Sequence, residues 1–356
     1  MKINSIVEHQ FKVAQISLAR PTATRMWLVN ICAFLVVVQS ALSDGYFSLL
    51  IAISAVFAAV LTEFLILAVS GRWKTLKDGS AVTTALILVL LLPNTISPFF
   101  AAAGAVFAIA VIKHSFGGLG ANWLNPAAGG WLFVNLSWPA SFRAALEDSH
   151  LSLLYGDLIQ ARASGGNSPL DVSAFLAETN PGVDSFASFL NNTIFAIIPA
   201  ELPLGHLELF VSSSPGIIAD RGILLLLLGT IILCATQANR FLIPATFLAV
   251  FGILVRIAGD IPFGGEVGSG DVLFALGSGG TLVVAFFLAS DPATSAKSIR
   301  GMFVTAALAG GIAFLFRYFG AEPYGAVFAL LFINAMLPLI RIVESNRFYE
   351  KQGKTT

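Results

Sequence analysis

"DGSAVTTALILVLLLP" at residues 78–93 and "GSGGTLVVAFFLASDP" at residues 277–292 decide how this chain is built. Each stretch opens on small and polar residues, runs through an apolar segment and stops at a proline. In both copies a segment rich in small residues follows, then a basic residue, then Phe-Gly. Lys113 precedes Phe116 and Gly117, and Arg317 precedes Phe319 and Gly320. The offset between the copies stays near two hundred residues.

Composition fixes the setting. Hydrophobic residues make up 56% of the 356 and charged residues 11%, against about 25% charged in soluble domains. Mean hydropathy is +0.84. This is the composition of a polytopic membrane protein. A net charge of zero argues against a nucleic-acid partner. Cys32 and Cys234 lie singly in apolar runs with no Cys-x-x-Cys spacing, so no metal site is expected. Residues 1–25 lack the short apolar core and cleavage site of a signal peptide, and their stretch "VEHQFKVAQISLAR" (7–20) suits an amphipathic surface helix.

A span needs roughly twenty mostly apolar residues. Candidates fall at 26–42, 46–69, 79–93, 98–113, 126–138, 222–237, 241–258, 273–290, 302–319 and 324–341. The third, fifth and eighth are short or broken by glycine. With five spans per half, an odd number, the second copy enters the membrane from the opposite side, giving an inverted-topology repeat. The expected fold is therefore all-α, with about ten transmembrane helices in a 5+5 arrangement. Its parts are a cytoplasmic segment (1–25), a first five-helix unit (26–138), an outward polar insert (139–221), a second unit (222–341) and a cytoplasmic tail (342–356).

Basic residues orient the chain. With the N-terminus inside, fifteen Lys and Arg fall in cytoplasmic segments, Lys113 among them. Five (Arg143, Arg162, Arg221, Arg256 and Arg317) fall outside. That bias puts both termini in the cytoplasm and the insert outward.

Ionisable and amide side chains at membrane depth are costly, so each is a candidate site or a satisfied structural partner. Glu63 lies inside the second span, as a functional acid or as the partner of a base such as Arg72. Asp78 opens the third span, where the helix dipole favours a carboxylate. Asp291 closes the eighth, where the dipole opposes one. The run "KHSFGGLGANWLNPAAGG" (113–130) is the densest signal. Its glycines allow close backbone approach, Trp123 offers a stacking face, and Asn122 and Asn125 offer amides suited to a flat heteroaromatic. An ordinary turn is the other reading. The insert carries nine carboxylates against three arginines, with no Ser-His-Asp or Cys-His arrangement for hydrolysis.

Four blocks in order, "DGSAVTTALILVLLLP", "KHSFGGLGANWLNPA", "ASDPATSAKS" and "PYGAVFALLFINAMLPLI", resemble the RnfD/NqrB family: the D subunit of Rnf complexes and the B subunit of the sodium-pumping NADH:quinone reductase. The resemblance covers nearly all of residues 20–345. It implies an inverted repeat similar to urea and ammonia transporter folds, in a multi-pass subunit of the bacterial inner membrane. It further implies a complex with other membrane subunits that couples electron transfer to Na⁺ or H⁺ movement. Riboflavin bound among the spans is implied, with Asn122, Asn125, Asp78, Asp291 and Thr294 at the matching positions; the same residues also suit helix capping. The family also carries FMN joined by a phosphoester to a threonine of the outward loop, in a motif near Asp-x-x-Ser-Gly-Ala-Thr.

Here "ARASGGNSPLD" (161–171) departs from that motif. Ala161 stands for the aspartate and Asn167 for the threonine. A carboxamide nitrogen cannot replace the hydroxyl in a phosphoester. Two expectations stay open: a loop without FMN, or attachment at Ser168 through a one-residue shift of register. In "SSSPGIIADRG" (212–222), Asp220 stands in for a family glutamate. The functional expectation is an electron-transfer subunit of an ion pump. The alternative is a transporter-like or assembly subunit on the same scaffold that has lost its redox role.

Overall fold

The computed structural model describes residues 22–71, 73–147, 188–189, 191–193, 216–236, 240–263, 265–320 and 324–353. Helices α1 (Thr22–Asp44) and α2 (Phe47–Val69) lead to the short α3 (Ser80–Leu90). Then come α4 (Pro98–Phe107), prolonged by a π turn (Ala108–His114), α5 (Pro126–Ser137) and α6 (Pro139–Glu147). Beyond the insert a 3-10 turn (Ile218–Gly222) enters α7 (Ile223–Ala235), followed by α8 (Leu242–Ala258). The last four are α9 (Val272–Gly277), α10 (Thr281–Val283) with a π turn (Val284–Leu288), α11 (Ile299–Phe314) with a π turn (Leu315–Phe319), and α12 (Gly325–Gly353). No strand occurs among the described residues; Pro93 and Ile217 form an isolated bridge.

Five of these elements are long and apolar enough to cross a membrane: α1, α2, α7 with its lead-in, α11 with its π turn, and α12. Their outer faces carry Ile31, Phe34, Phe57, Leu228, Ile231 and Phe303, all exposed. Water does not tolerate so much contiguous apolar surface, and lipid does. The protein is a polytopic membrane protein.

Each of the ten expected segments contains helix, but the short ones behave differently from spans. At 1.5 Å per residue, α3 is about 16 Å long, roughly half of a hydrocarbon core. The segment expected at 273–290 is two pieces, because Ser278 is extended and Gly279 and Gly280 take positive φ (65° and 69°). Helix α12 continues past residue 341, so residues 342–353 of the expected tail are helical. Helix starts follow local chemistry. Ser97 and Asn125 cap α4 and α5, each with proline at the first helical position, and Ser298 caps α11.

The most extensive packing is between α2 and α4, and again between α8 and α11, the second and fourth segments of each half. Helix α1 joins the halves, lying against α3 on one side and against α7 and its lead-in on the other. Trp131 of α5, fully buried, packs edge-on against Tyr324 and Phe328, with ring centroids 5.7 and 5.2 Å away. Most of the polar insert, Asn167 and Ser168 included, lies outside the described residues. Its first helix docks through buried Phe142 and through Thr95, whose Oγ1 donates to the Ala145 carbonyl at 2.8 Å.

Small residues set the α4–α5 distance. A Cβ on Gly130 would sit 2.7 Å from the Gly104 carbonyl oxygen. Gly130→Ala is therefore expected to cost about 1–3 kcal/mol through overpacking, read as a lower Tm of the detergent-solubilised protein. An unchanged Tm would mean that α4 and α5 are not in this contact.

Candidate functional site

Helices α3 and α10 both begin on a left-handed glycine, Gly79 (φ 76°) and Gly280 (φ 69°). A buried helix start must find acceptors for its first N–H groups. For α3 the acceptor is local: Asp78 Oδ1 takes the Ser80 N–H at 2.8 Å. For α10 it comes from afar: Asp220, 4% exposed, takes the Gly279 and Gly280 N–H groups at 2.8 and 3.0 Å. Arg317 then closes the gap between α9 and α10. Its Nη1 donates to the Ala275 and Ser278 carbonyls and to Thr281 Oγ1 (2.7, 2.9 and 2.9 Å), and Nη2 donates to Ser278 Oγ.

The two short helices face each other end for end. Gly280, at the start of α10, lies beside Leu91, just past the end of α3. At the other end, Ser80, Thr83 and Thr84 of α3 share a cavity with Phe287 and Asp291. This cavity holds about 240 Å³. Its walls also include Arg25, Met26 and Val29 of α1, Lys113, and Asn122, Asn125 and Pro126 from the loop entering α5.

Three of the expected site residues, Asn122, Asn125 and Asp291, thus line one cavity. Gly117, Gly118 and Gly120 all take positive φ, so the loop can fold back under Asn122. Asn122 Nδ2 donates to the Gly118 and Lys113 carbonyls (3.0 and 3.1 Å). Asn125 Oδ1 accepts from the Ala127 and Ala128 N–H groups. Thr294 stands behind the wall, its Oγ1 donating to Asp291 Oδ2 at 3.2 Å, while Asp291 Oδ1 accepts from Ala293 N at 3.1 Å. Burial pushes the Asp291 carboxyl up, against those hydrogen bonds and nearby Lys297. Asp78 caps α3 and is not on the wall, and Ser168 lies outside the described residues.

Sequence reasoning misread the centre of the site. Lys113, counted as a loop charge, is 2% exposed, and Arg317 is 1% exposed. The π turn of α4 swings Lys113 inward. Its Nζ donates to Glu63 Oε1 and to Ser80 Oγ, each at 2.6 Å. The partner of Glu63 is thus Lys113, with His114 Nε2 3.4 Å away. Buried Asn334 was missed as well. It bridges the Thr294 carbonyl and the Asn125 N–H at 3.2 Å each, tying α12 to both loops. The available signal was the pair of basic residues flanked by apolar helix in "AVIKHS" and "AFLFRYF".

The fold and this cavity define a class: a helical membrane protein with a largely apolar, polar-edged cavity between two short, opposed helices. The model of the NQR2, RnfD, RnfE family matches residues 12–350, and the chain belongs to that family. It is 31% identical over 317 residues to the D subunit of the proton-translocating ferredoxin:NAD(+) oxidoreductase complex of Clostridium ljungdahlii, covering 88% of each chain. To the D subunit of the ion-translocating oxidoreductase complex of Shewanella denitrificans it is 32% identical over 328 residues, 90% of this chain and 91% of the relative. The corresponding Escherichia coli protein is 29% identical over 351 residues, covering 93% and 95%.

A buried pair leaves a stranded charge when one partner is removed. Lys113→Ala is expected to cost about 3–5 kcal/mol, whereas Lys113→Met with Glu63→Leu costs much less. Thermal melts in detergent followed by circular dichroism measure both. Equal losses for the single and double variants would show that the two charges do not pair.

Proposed function

We propose that this chain is the D subunit of an ion-translocating oxidoreductase complex, a multi-pass protein that binds flavin and passes electrons alongside Na⁺ or H⁺ movement. The observation that carries this is the end-to-end match: the family model spans residues 12–350, and the relatives align over most of both chains. Its partners are the other membrane subunits of such a complex.

We read the architecture as ten spans in two inverted five-helix units. The support is the antiparallel placement of α3 and α10, the π turns at Lys113 and Arg317, and the matched α2–α4 and α8–α11 packing. Removing the interior Lys113 and Arg317 from the charge count leaves fourteen basic residues against four, still in favour of cytoplasmic termini in a bacterial inner membrane.

The cavity suits a flat, partly polar ring such as riboflavin. Met26, Val29, Ile87 and Phe287 give apolar walls, Asn122, Asn125 and Asp291 give polar edges, and the buried Nε of Arg25 has no acceptor among the described residues. Its volume, about 240 Å³, lies just below the ~300–1,000 Å³ of typical small-molecule pockets. A bound flavin supplies one- and two-electron chemistry, and the chain supplies burial, orientation and charge. Asp78 and Thr294 act one step back, holding Ser80 and Asp291 in place. For the outward loop, Asn167 in place of the family threonine favours a loop without covalent FMN, with Ser168 the remaining acceptor.

The test is a visible spectrum of the protein purified with its neighbouring subunits, then a denaturing gel under ultraviolet light. Yellow colour that leaves on denaturation is the expected result; a colourless preparation overturns the flavin reading and favours a transporter-like or assembly role. A fluorescent gel band that Ser168→Ala abolishes would locate covalent FMN at Ser168, and persistence of the band would remove that assignment.

A further inference from the structure

We infer that Lys113, held by Glu63, sets the charge of the cavity and thereby how readily the cavity's occupant is reduced. This rests on the flavin reading above and goes beyond it by assigning the residues that tune the flavin.

The geometry has a direction. Lys113 lines the cavity and Glu63 does not. The ammonium bonds Glu63 behind it and Ser80 on the cavity wall, both at 2.6 Å. Lysine has three donors, so among the described residues one N–H of Lys113 remains beyond these two bonds. The pair is thus a dipole with its positive end toward the occupant, inside a region where charges are screened far less than in water. Glu63 is 4% exposed, and among the described residues its Oε2 has no hydrogen-bond partner, so Lys113 is the main charge set against this carboxylate there.

Among the described residues, few other charged groups face this region. Arg25 of α1 and Asp291 after α10 line the cavity, and His114 approaches Glu63 from the same π turn. Asp291 has both oxygens occupied by its own loop. Accepting an electron adds negative charge where Lys113 and Arg25 point. Lys113 therefore favours the reduced form, and Glu63 restrains that effect.

The test is a dithionite titration of the non-covalent flavin, followed by absorbance, in the complex carrying Ser168→Ala so that any attached FMN is absent. Glu63→Gln keeps an acceptor for Lys113 and removes the restraining charge. It should shift the one-electron reduction equilibrium about tenfold toward the reduced form, a rise of about 59 mV. Lys113→Met should shift it by a similar factor the other way, and Lys113→Arg should stay near the parent. A purely structural pair would leave bound flavin at one potential in all variants, and that result overturns the inference. If Lys113→Met fails to assemble, Glu63→Gln decides alone: no rise overturns it. A parent preparation without flavin removes the flavin reading and this inference together, whereas bound flavin with unmoved potentials removes this inference only.

Discussion

A helix that starts inside a membrane protein leaves its first N–H groups where no water can reach them, and each one left unsatisfied costs several kcal/mol. This protein starts two such helices, and much of the surrounding structure supplies acceptors for them. Asp78 serves α3 from just ahead of its first turn. Asp220 serves α10 from some sixty residues away, and the segment that carries it also donates from Ile218 N to the Leu92 carbonyl at the end of α3. One short turn therefore ties the end of α3, the start of α10 and the entrance of α7. Fixing those ends at one pole gives the cavity at the other pole its width.

The two interior bases show how related positions take different roles. Arg317 has a planar fork of donors, and carbonyls and hydroxyls around the α9–α10 gap occupy it, so that end of the structure is sealed. Lys113 is a point charge with fewer donors. It binds one carboxylate and one hydroxyl, and it remains on a cavity wall. The sealed base holds a helix break in place, and the open one puts charge beside a space that a ligand can fill.

Helix positions were legible in the sequence because apolar runs bounded by Pro, Gly and Ser leave little choice: Asn125-Pro126 and Ser97-Pro98 mark starts that the structure keeps. The doubled Asp-Gly-Ser and Gly-Ser-Gly-Gly starts also foretold where helices stop short. Asn122, Asn125 and Asp291 could be grouped from motif position, and Asn125 and Asp291 also accept local backbone N–H groups at helix or turn starts. Lys113, Arg317 and Asn334 were not legible. Whether a base at the end of an apolar run faces solvent or turns inward depends on π turns, which shift side-chain register without a composition signal. The pairing of Glu63 with a residue fifty positions away also depends on tertiary packing alone.

The departures from the family pattern at Ala161 and Asn167 belong to a part of the chain that contributes nothing to the cavity wall among the described residues. The wall is drawn from α1, α3, Lys113 of the π turn, the loop and first turn of α5, and Phe287 with the segment Asp291 to Ala293; no described residue of 139–221 is on it. Asp220 lies at the end of that insert and carries the start of α10, so changes near residues 216–222 would reach the cavity through the helix they anchor. Tolerance to change in this insert is set by which of its residues cap an interior helix, and among the described residues only its last few do.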